Sequence, residues 1–246
     1  MAPGEDKRGR ASPRIDLSAV GSSAPGPAPR GQAFPPPGRA EAFWPPQLAL
    51  LLAIALQLLL PGRLTAGPTW LLPVLEAALL IGLAVASPRQ LEHEHMGRRR
   101  IALTLTVLVS AANVYSLVLL SRELLRHSSP NGRELILAGA LIWLTNVLIF
   151  SLWYWEADRG GPGRRAAGGD QPPDFLFPQM QDDRIEPRHW RPGFIDYLYV
   201  SLTNATAFSP TDTMPLTPTA KSMMGLQSLV SLVTIGLVVS RAVNIL

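Results

Sequence analysis

Charged residues are almost absent from several long stretches of this chain and are concentrated in the segments between them. Residues 101–121 and 135–155, for example, contain no Asp, Glu, Lys or Arg. A soluble domain mixes apolar and charged residues along each element, because one face of the element meets water. A bilayer instead selects continuous apolar segments of about 20 residues. The blockwise pattern therefore predicts an all-α fold, a polytopic transmembrane helical bundle.

Six helices are predicted, five as clear spans and one as a short polar segment. The clear spans lie at about residues 43–60, 69–86, 101–120, 134–155 and 220–246. The short segment is 194–208, FIDYLYVSLTNATAF. Its fifteen residues reach only about 22 Å as a helix, against about 30 Å of hydrocarbon. It is either a short polar span or a re-entrant helix, and the sequence leaves both open.

These segments divide the chain into four regions. Residues 1–42 are rich in Pro, Gly, Ala and Arg and have no hydrophobic period, which predicts a disordered N-terminal tail. Residues 43–155 form a four-span membrane region. Residues 156–193 are a polar, Gly- and Pro-rich linker without a convincing period, and residues 194–246 form a pore-like C-terminal helical hairpin.

The basic residues indicate an orientation in the membrane rather than a nucleic-acid partner. The chain carries a net charge of +4, and 16 of its 22 Lys and Arg residues lie in the tail and in the segments 88–100 and 156–193. Segments rich in Lys and Arg stay on the cytoplasmic side. We therefore expect these three regions, and the N-terminus, to be cytoplasmic, with the lipid bilayer as the main partner and no binding to nucleic acid.

Two polar stripes stand out in the C-terminal hairpin. The spacing of three or four residues places the members of each stripe on one helical face. If the helices are antiparallel spans joined by an extracellular turn, SPTDTMPLTPT, Asp196 and Arg241 meet near the cytoplasmic face. The stripes serve either interhelical hydrogen bonding or a polar path for water or ions. The predicted site residues are Asp196, Tyr199, Thr203 and Thr206 on the first helix, Asp212 in the turn, and Gln227, Ser231, Thr234 and Arg241 on the second.

One acidic residue, Glu76, lies near the middle of the second predicted span. An acid at that depth marks either a proton-linked path or a neutral, hydrogen-bonded group in the bundle. The chain has no cysteine, no Gly-rich phosphate loop and no nucleophile or zinc motif. We therefore expect no catalytic, cofactor-binding or metal-binding residues and no enzyme activity.

Two resemblances extend this interpretation. The order of residues in DYLYVSLTNATAFSPTDTMPLT, followed by a final span, resembles the pore-loop module of potassium channels. Residues 207–211 contain no glycine where a potassium filter needs a permissive backbone, so the resemblance implies a pore loop with a degenerate filter. The last hundred residues, with WYWEADRGGP, DFLFPQM and SRAVNIL, resemble an uncharacterised family of multi-spanning bacterial inner-membrane proteins. That resemblance implies a bacterial cytoplasmic membrane and transfers no activity.

The predicted function is a pore-like or transport-linked membrane module that acts on a small ion or a proton. The alternative is a non-transporting membrane scaffold or assembly subunit whose polar stripes serve packing. A homo-oligomer is compatible with either function. A continuous polar cavity between the helices favours transport, and a dry interface favours packing.

Overall fold

The computed structural model describes residues 44–65, 74, 96–125, 132–166, 171–181, 190–206 and 212–243. These residues form six α-helices and one two-stranded ribbon, and all lie within one compact unit. The elements are α1 (Trp44–Leu58), α2 (Met96–Leu125), α3 (Gly132–Ala157), α4 (Pro162–Ala166), β1 (Phe175–Leu176), α5 (Phe194–Thr206), β2 (Met214–Pro215) and α6 (Pro218–Val243). Short 3-10 turns occur at Gly62–Leu64, Asp158–Gly160 and Pro178–Met180.

The predicted helical class is confirmed, but the predicted number of spans is not. Three stretches of helix are long and apolar enough to cross a bilayer, Arg99–Leu124, Gly132–Gly160 and Pro218–Val243. Helix α1 has 15 residues, which is about 22 Å and short for a complete crossing. The predicted tail and, apart from Val74, the second predicted span, with Glu76, lie outside the described residues.

Helix α3 is the centre of the bundle, with α1, α2, α5 and α6 packed around it. Its sequence is apolar on all sides. In the most apolar stretch of α3, 61% of the residues are buried, against 17% in the corresponding stretch of α6. A helix without a polar face is stable only when neighbours or lipid cover it. The apolar core accordingly runs along α3, through residues such as Ile142, Ile149 and Tyr154, which are fully or almost fully buried.

The two ends of the bundle can be told apart by their ion pairs. Arg99 at the start of α2 lies 3.7 Å from Glu156 at the end of α3, between Nε and Oε2. Helices α2 and α3 are therefore antiparallel, and we call this the linker end because residues 158–166 and 171–181 also lie there. At the opposite end, Arg63 pairs with Glu134 at 2.9 Å. Helix α1 thus runs toward the opposite end.

Residues 156–166, 171–181 and 190–193 of the predicted linker are more ordered than the composition of this segment indicates. Helix α3 ends where three consecutive residues, Arg159, Gly160 and Gly161, take positive φ angles of 52°, 76° and 105°. Glycine adopts this conformation without a steric penalty, and it stops the helix sharply. Helix α4, β1 and a 3-10 turn follow. The described parts of the predicted linker pack onto the bundle.

Candidate functional site

Helix α5 lies against α3 and ends about halfway along it. Near its start, the Tyr197 hydroxyl donates to Asp158 Oδ2 at 2.6 Å, at the linker end. One turn later, the Ser201 hydroxyl donates to the carbonyl oxygen of Val147 at 2.6 Å. Near its end, the carbonyl oxygen of Ala205 accepts from Trp143 Nε1 at 3.5 Å. Helix α5 therefore runs from the linker end toward the middle of the bundle and stops there.

The chain is back at the linker end when it reaches β2. Strand β2 pairs antiparallel with β1, which belongs to the predicted linker. The backbone N–H of Leu216 donates to the carbonyl oxygen of Asp174 at 2.8 Å, and the Thr217 hydroxyl donates to Asp174 Oδ1 at 2.5 Å. Asp174 N in turn donates to Asp158 Oδ1 at 2.8 Å. Helix α6 then starts at the linker end and crosses to the opposite end.

This geometry corrects the expectation of an antiparallel hairpin with its turn at the opposite end. Asp196 is at the linker end, next to Tyr197. Arg241 is near the other end, because Val238, one turn before it, packs against Gly139 close to the start of α3. The predicted Asp196–Arg241 pair is therefore wrong. Of the two arrangements left open by the sequence, the described residues fit the re-entrant one.

Helices α3, α5 and α6 are joined by a buried polar network centred on Gln227, which is fully buried. Its Oε1 accepts from the Tyr154 hydroxyl at 2.5 Å and from Asn204 Nδ2 at 2.8 Å. Its Nε2 donates to the backbone oxygen of Ser201 at 2.9 Å and to the Ser201 hydroxyl at 2.7 Å. Asn204 also donates to the backbone oxygen of Met224 at 2.9 Å. Every polar atom of the Gln227 side chain thus has a partner, which is what burial requires.

The other predicted site residues of the C-terminal region lie on α6 or just before β2. Ser231 and Thr234 are almost fully buried on the same face as Gln227. The Ser231 hydroxyl accepts from Asn146 Nδ2 at 3.0 Å, and the Thr234 hydroxyl donates to the Val230 carbonyl in its own helix at 2.8 Å. Arg241 is half-buried near the end of α6, and Asp212 is exposed in a bend before β2.

The predicted stripe on α5 does not face α6. Tyr199 is 56% exposed, and the hydroxyls of Thr203 and Thr206 donate to carbonyl oxygens of α5 itself at 2.8 and 2.9 Å. Asp196 Oδ2 accepts from the Gly193 N–H at 2.7 Å and so caps the start of the helix. Burial raises the pKa of the Asp196 carboxyl above its ordinary value, and this hydrogen bond partly offsets the rise.

The face of α5 that meets α6 and α3 is the one with Tyr197, Ser201 and Asn204. Their spacing of four and three residues is as helical as that of the predicted stripe. Helix α5 carries polar residues on both faces, so periodicity alone did not decide which face is buried. On α3, Tyr154 and Asn146 were not among the predicted site residues.

The linker end holds a second buried cluster. Asp158 is fully buried, and its partners are the Asp174 N–H and the Tyr197 hydroxyl. Arg165 Nη1 donates to the backbone oxygens of Trp155 and Asp158 at 2.6 and 2.8 Å, and its guanidinium lies 5.3 Å from the ring centre of Tyr197. The cluster fastens the linker to α3, α5 and the start of α6.

Within the part of the chain that the structure describes, no three His, Cys, Asp or Glu side chains are grouped to hold a metal ion. In comparisons with known proteins, no family model, curated protein or solved structure matches this chain. The geometry of the site is therefore the basis for its proposed function.

Proposed function

We propose that this chain is an integral membrane protein whose residues 194–243 form a re-entrant, pore-loop-like module on a path for a small ion or proton. The observation that carries the proposal is the half-length course of α5, which ends beside Trp143, together with the return of the chain to the linker end at β2. Three helices around this module are long and apolar enough to cross a bilayer.

A helix that ends inside a membrane has an electrostatic consequence. The last carbonyl groups of α5 have no backbone N–H partners within the helix and carry the negative end of its dipole. Channels and transporters use such half-helix ends to stabilise cations at mid-membrane depth. Of the last four carbonyl groups of α5, that of Thr203 accepts from the Thr206 hydroxyl and that of Ala205 from Trp143 Nε1, among the described residues. The end of α5 is therefore suited to a cation, and an anion there would be unfavourable.

The path we propose follows the outer face of α5, because the inner face is closed. Gln227 binds Tyr154, Ser201 and Asn204 through direct hydrogen bonds between α3, α5 and α6. On the outer face, Tyr199 is exposed and Thr203 and Thr206 are half-buried. A second copy of the chain packed against this face encloses the path, so the proposal includes a homo-oligomer.

The second candidate function is a membrane scaffold that transports nothing. It is favoured by the same inner network, since every polar atom of the Gln227 side chain serves packing. On this alternative the outer face of α5 meets lipid or an apolar partner and stays dry.

Single cysteines separate the two candidates, because the natural chain has no cysteine. The protein with Thr206→Cys is reconstituted in liposomes and treated with a cationic, water-soluble thiol reagent. Thr234→Cys, which places the thiol at the dry interface, is the matched control. A path predicts rapid modification of Thr206→Cys, a loss of cation flux and no reaction of the control. Unreactive Thr206→Cys together with no flux supports the scaffold and overturns the path.

For orientation we propose that the linker end faces the bacterial cytoplasm, as the basic segments indicate. Gln171 is exposed at the linker end, and Arg133 is exposed at the opposite end. An impermeant thiol reagent is expected to label Arg133→Cys in intact cells and Gln171→Cys only after permeabilisation. The reverse pattern would overturn the orientation and leave the fold unchanged.

A further inference from the structure

A cavity of about 380 Å³ lies between α2, α3 and α6. Its walls are mostly apolar. Two carboxamide side chains, Asn113 and Asn146, line it near the middle of their helices. The cavity opens between α2 and α6, where Val114 and Leu226 are 50% and 56% exposed. If α2 and α6 span a bilayer, this opening meets the hydrocarbon and not water.

The carboxamides are the unusual part of this cavity. Asn113 is 3% exposed and has no hydrogen-bond partner among the described residues. Asn146 is 2% exposed and donates once, from Nδ2 to the Ser231 hydroxyl, which leaves its second N–H and its Oδ1 without a described partner. A buried N–H without an acceptor is unfavourable, and native proteins rarely keep one. Both side chains border the same empty volume, so a ligand with acceptor oxygens there can bind the free N–H groups of both.

The aromatic side chains in the cavity wall indicate which shape of ligand fits there. Phe150 and Trp153 both line the cavity. The Trp153 indole is held in place, because its Nε1 donates to the Ser110 hydroxyl at 3.1 Å and that hydroxyl donates to the Thr106 carbonyl at 2.5 Å. A fixed aromatic face favours a flat ring stacked or tilted against it.

We propose that this cavity binds a neutral, lipid-soluble molecule with a planar, carbonyl-bearing ring and an apolar chain, the chemistry of an alkylated benzoquinone. The carbonyl oxygens accept from Asn113 and from the remaining N–H of Asn146, and the chain leaves through the opening into the bilayer. A volume of 380 Å³ is within the range of small-molecule sites, about 300–1,000 Å³. The proposal does not depend on a path along α5.

Depth argues against a phospholipid head group as the occupant. The carboxamides lie about half a hydrocarbon thickness, roughly 15 Å, from either surface. A charged head group at that depth is strongly unfavourable, whereas a neutral ring with carbonyl oxygens dissolves in the bilayer interior. An acyl chain alone fits the apolar walls but leaves Asn113 unsatisfied.

The test uses decyl-benzoquinone, which quenches tryptophan fluorescence, and the full chain reconstituted in phosphatidylcholine vesicles. We expect a saturable quenching component that is lost in Trp153→Phe. Asn113→Leu, which keeps the volume and removes the amide, is expected to weaken binding about tenfold, since one hydrogen bond accounts for about that factor. Val230→Phe fills the cavity and should abolish saturable quenching. Val233→Phe, a matched change on the exposed face of α6, should not alter it.

Two outcomes overturn the proposal. One is quenching that rises linearly with quinone and is equal in Val230→Phe and Val233→Phe, which is simple partitioning into the vesicle. The other is saturable quenching that Asn113→Leu leaves unchanged, which means that the amides do not bind the ring. Circular dichroism and size exclusion confirm that each variant folds, and Val233→Phe provides the reference for a folded variant.

Discussion

Two groups of polar side chains lie beside α3, one toward α5 and one toward α2, and they differ in how they are satisfied. On the side of α5, Gln227 binds Tyr154, Asn204 and Ser201, so that side is closed by direct hydrogen bonds. On the side of α2, Asn113 and Asn146 border a cavity. Buried polarity therefore does not by itself indicate a path. What indicates a ligand is polarity that the described protein leaves without a partner.

The largest effect on stability is expected from a substitution in the hydrogen-bond network on the closed side. Gln227→Leu removes four hydrogen bonds at once, to Tyr154, Asn204 and Ser201. At about 0.6–1 kcal/mol for each of them, the loss of stability should be about 2–4 kcal/mol. Thermal unfolding in detergent measures it. Ser240→Ala, an exposed change on the same helix, should unfold like the parent, and equal behaviour of the two variants would mean that the network is not stabilising.

The next effect concerns the close approach of α3 and α6. A Cβ at Gly139 overlaps the Val238 side chain, whereas a Cβ at Gly236 has nothing within 4 Å. We expect Gly139→Ala to lower stability by about 1–3 kcal/mol through overpacking, despite the better helix propensity of alanine. Gly236→Ala should be neutral or slightly stabilising. Comparable losses in both variants would contradict the packing of α6 on α3.

A smaller effect is expected at the linker end. Thr217→Val removes the hydroxyl that donates to Asp174 and to which the Ala220 N–H donates, while keeping the side-chain shape. The expected loss is about 1–2 kcal/mol, since one partner is a carboxylate. Hydrogen exchange of β1 and of the first turn of α6 should rise locally. Faster exchange in α2 as well would mean that the effect is not confined to the cap.

The smallest effect on stability is expected for Asn113→Leu, and it distinguishes the two sides of α3 most clearly. Asn113→Leu removes an amide that has no described partner, so stability should stay within about 0.5 kcal/mol of the parent or increase. Asn204→Leu, the same change on the closed side, should cost about 1–3 kcal/mol. A large loss of stability in Asn113→Leu would show that this amide is hydrogen-bonded within the protein. Asn113 would then not be available to a ligand in the cavity.

The sequence predicted some parts of this structure well because their signals are local. Helices α2, α3 and α6 begin and end within about five residues of the predicted spans, since continuous apolar runs leave few alternatives. The re-entrant course of α5 was not decided, because a 13-residue helix with polar residues on both faces fits a short span equally well. Strands β1 and β2 have two residues each, which is too short for any alternation to appear, and their pairing sets the topology.

The candidate site was predicted on one helix and misassigned on the other. Helix α6 has one polar stripe in an apolar surround, so Gln227, Ser231 and Thr234 could be grouped by spacing alone. On α5 the predicted stripe of Tyr199 and Thr203 points outward, and the buried face was missed. No local signal indicates that Asn113 and Asn146, 33 positions apart, border one cavity.

The central claim is that the chain returns to the linker end after α5. Asp212, exposed just before β2, tests it when Asp212→Cys is compared with Gln171→Cys and Arg133→Cys in the cysteine-free chain. An impermeant thiol reagent is applied to intact and to permeabilised cells. We expect Asp212→Cys to be labelled under the same condition as Gln171→Cys and under the opposite condition to Arg133→Cys. Labelling of Asp212→Cys together with Arg133→Cys would mean that α5 crosses the membrane, and the re-entrant module would be wrong.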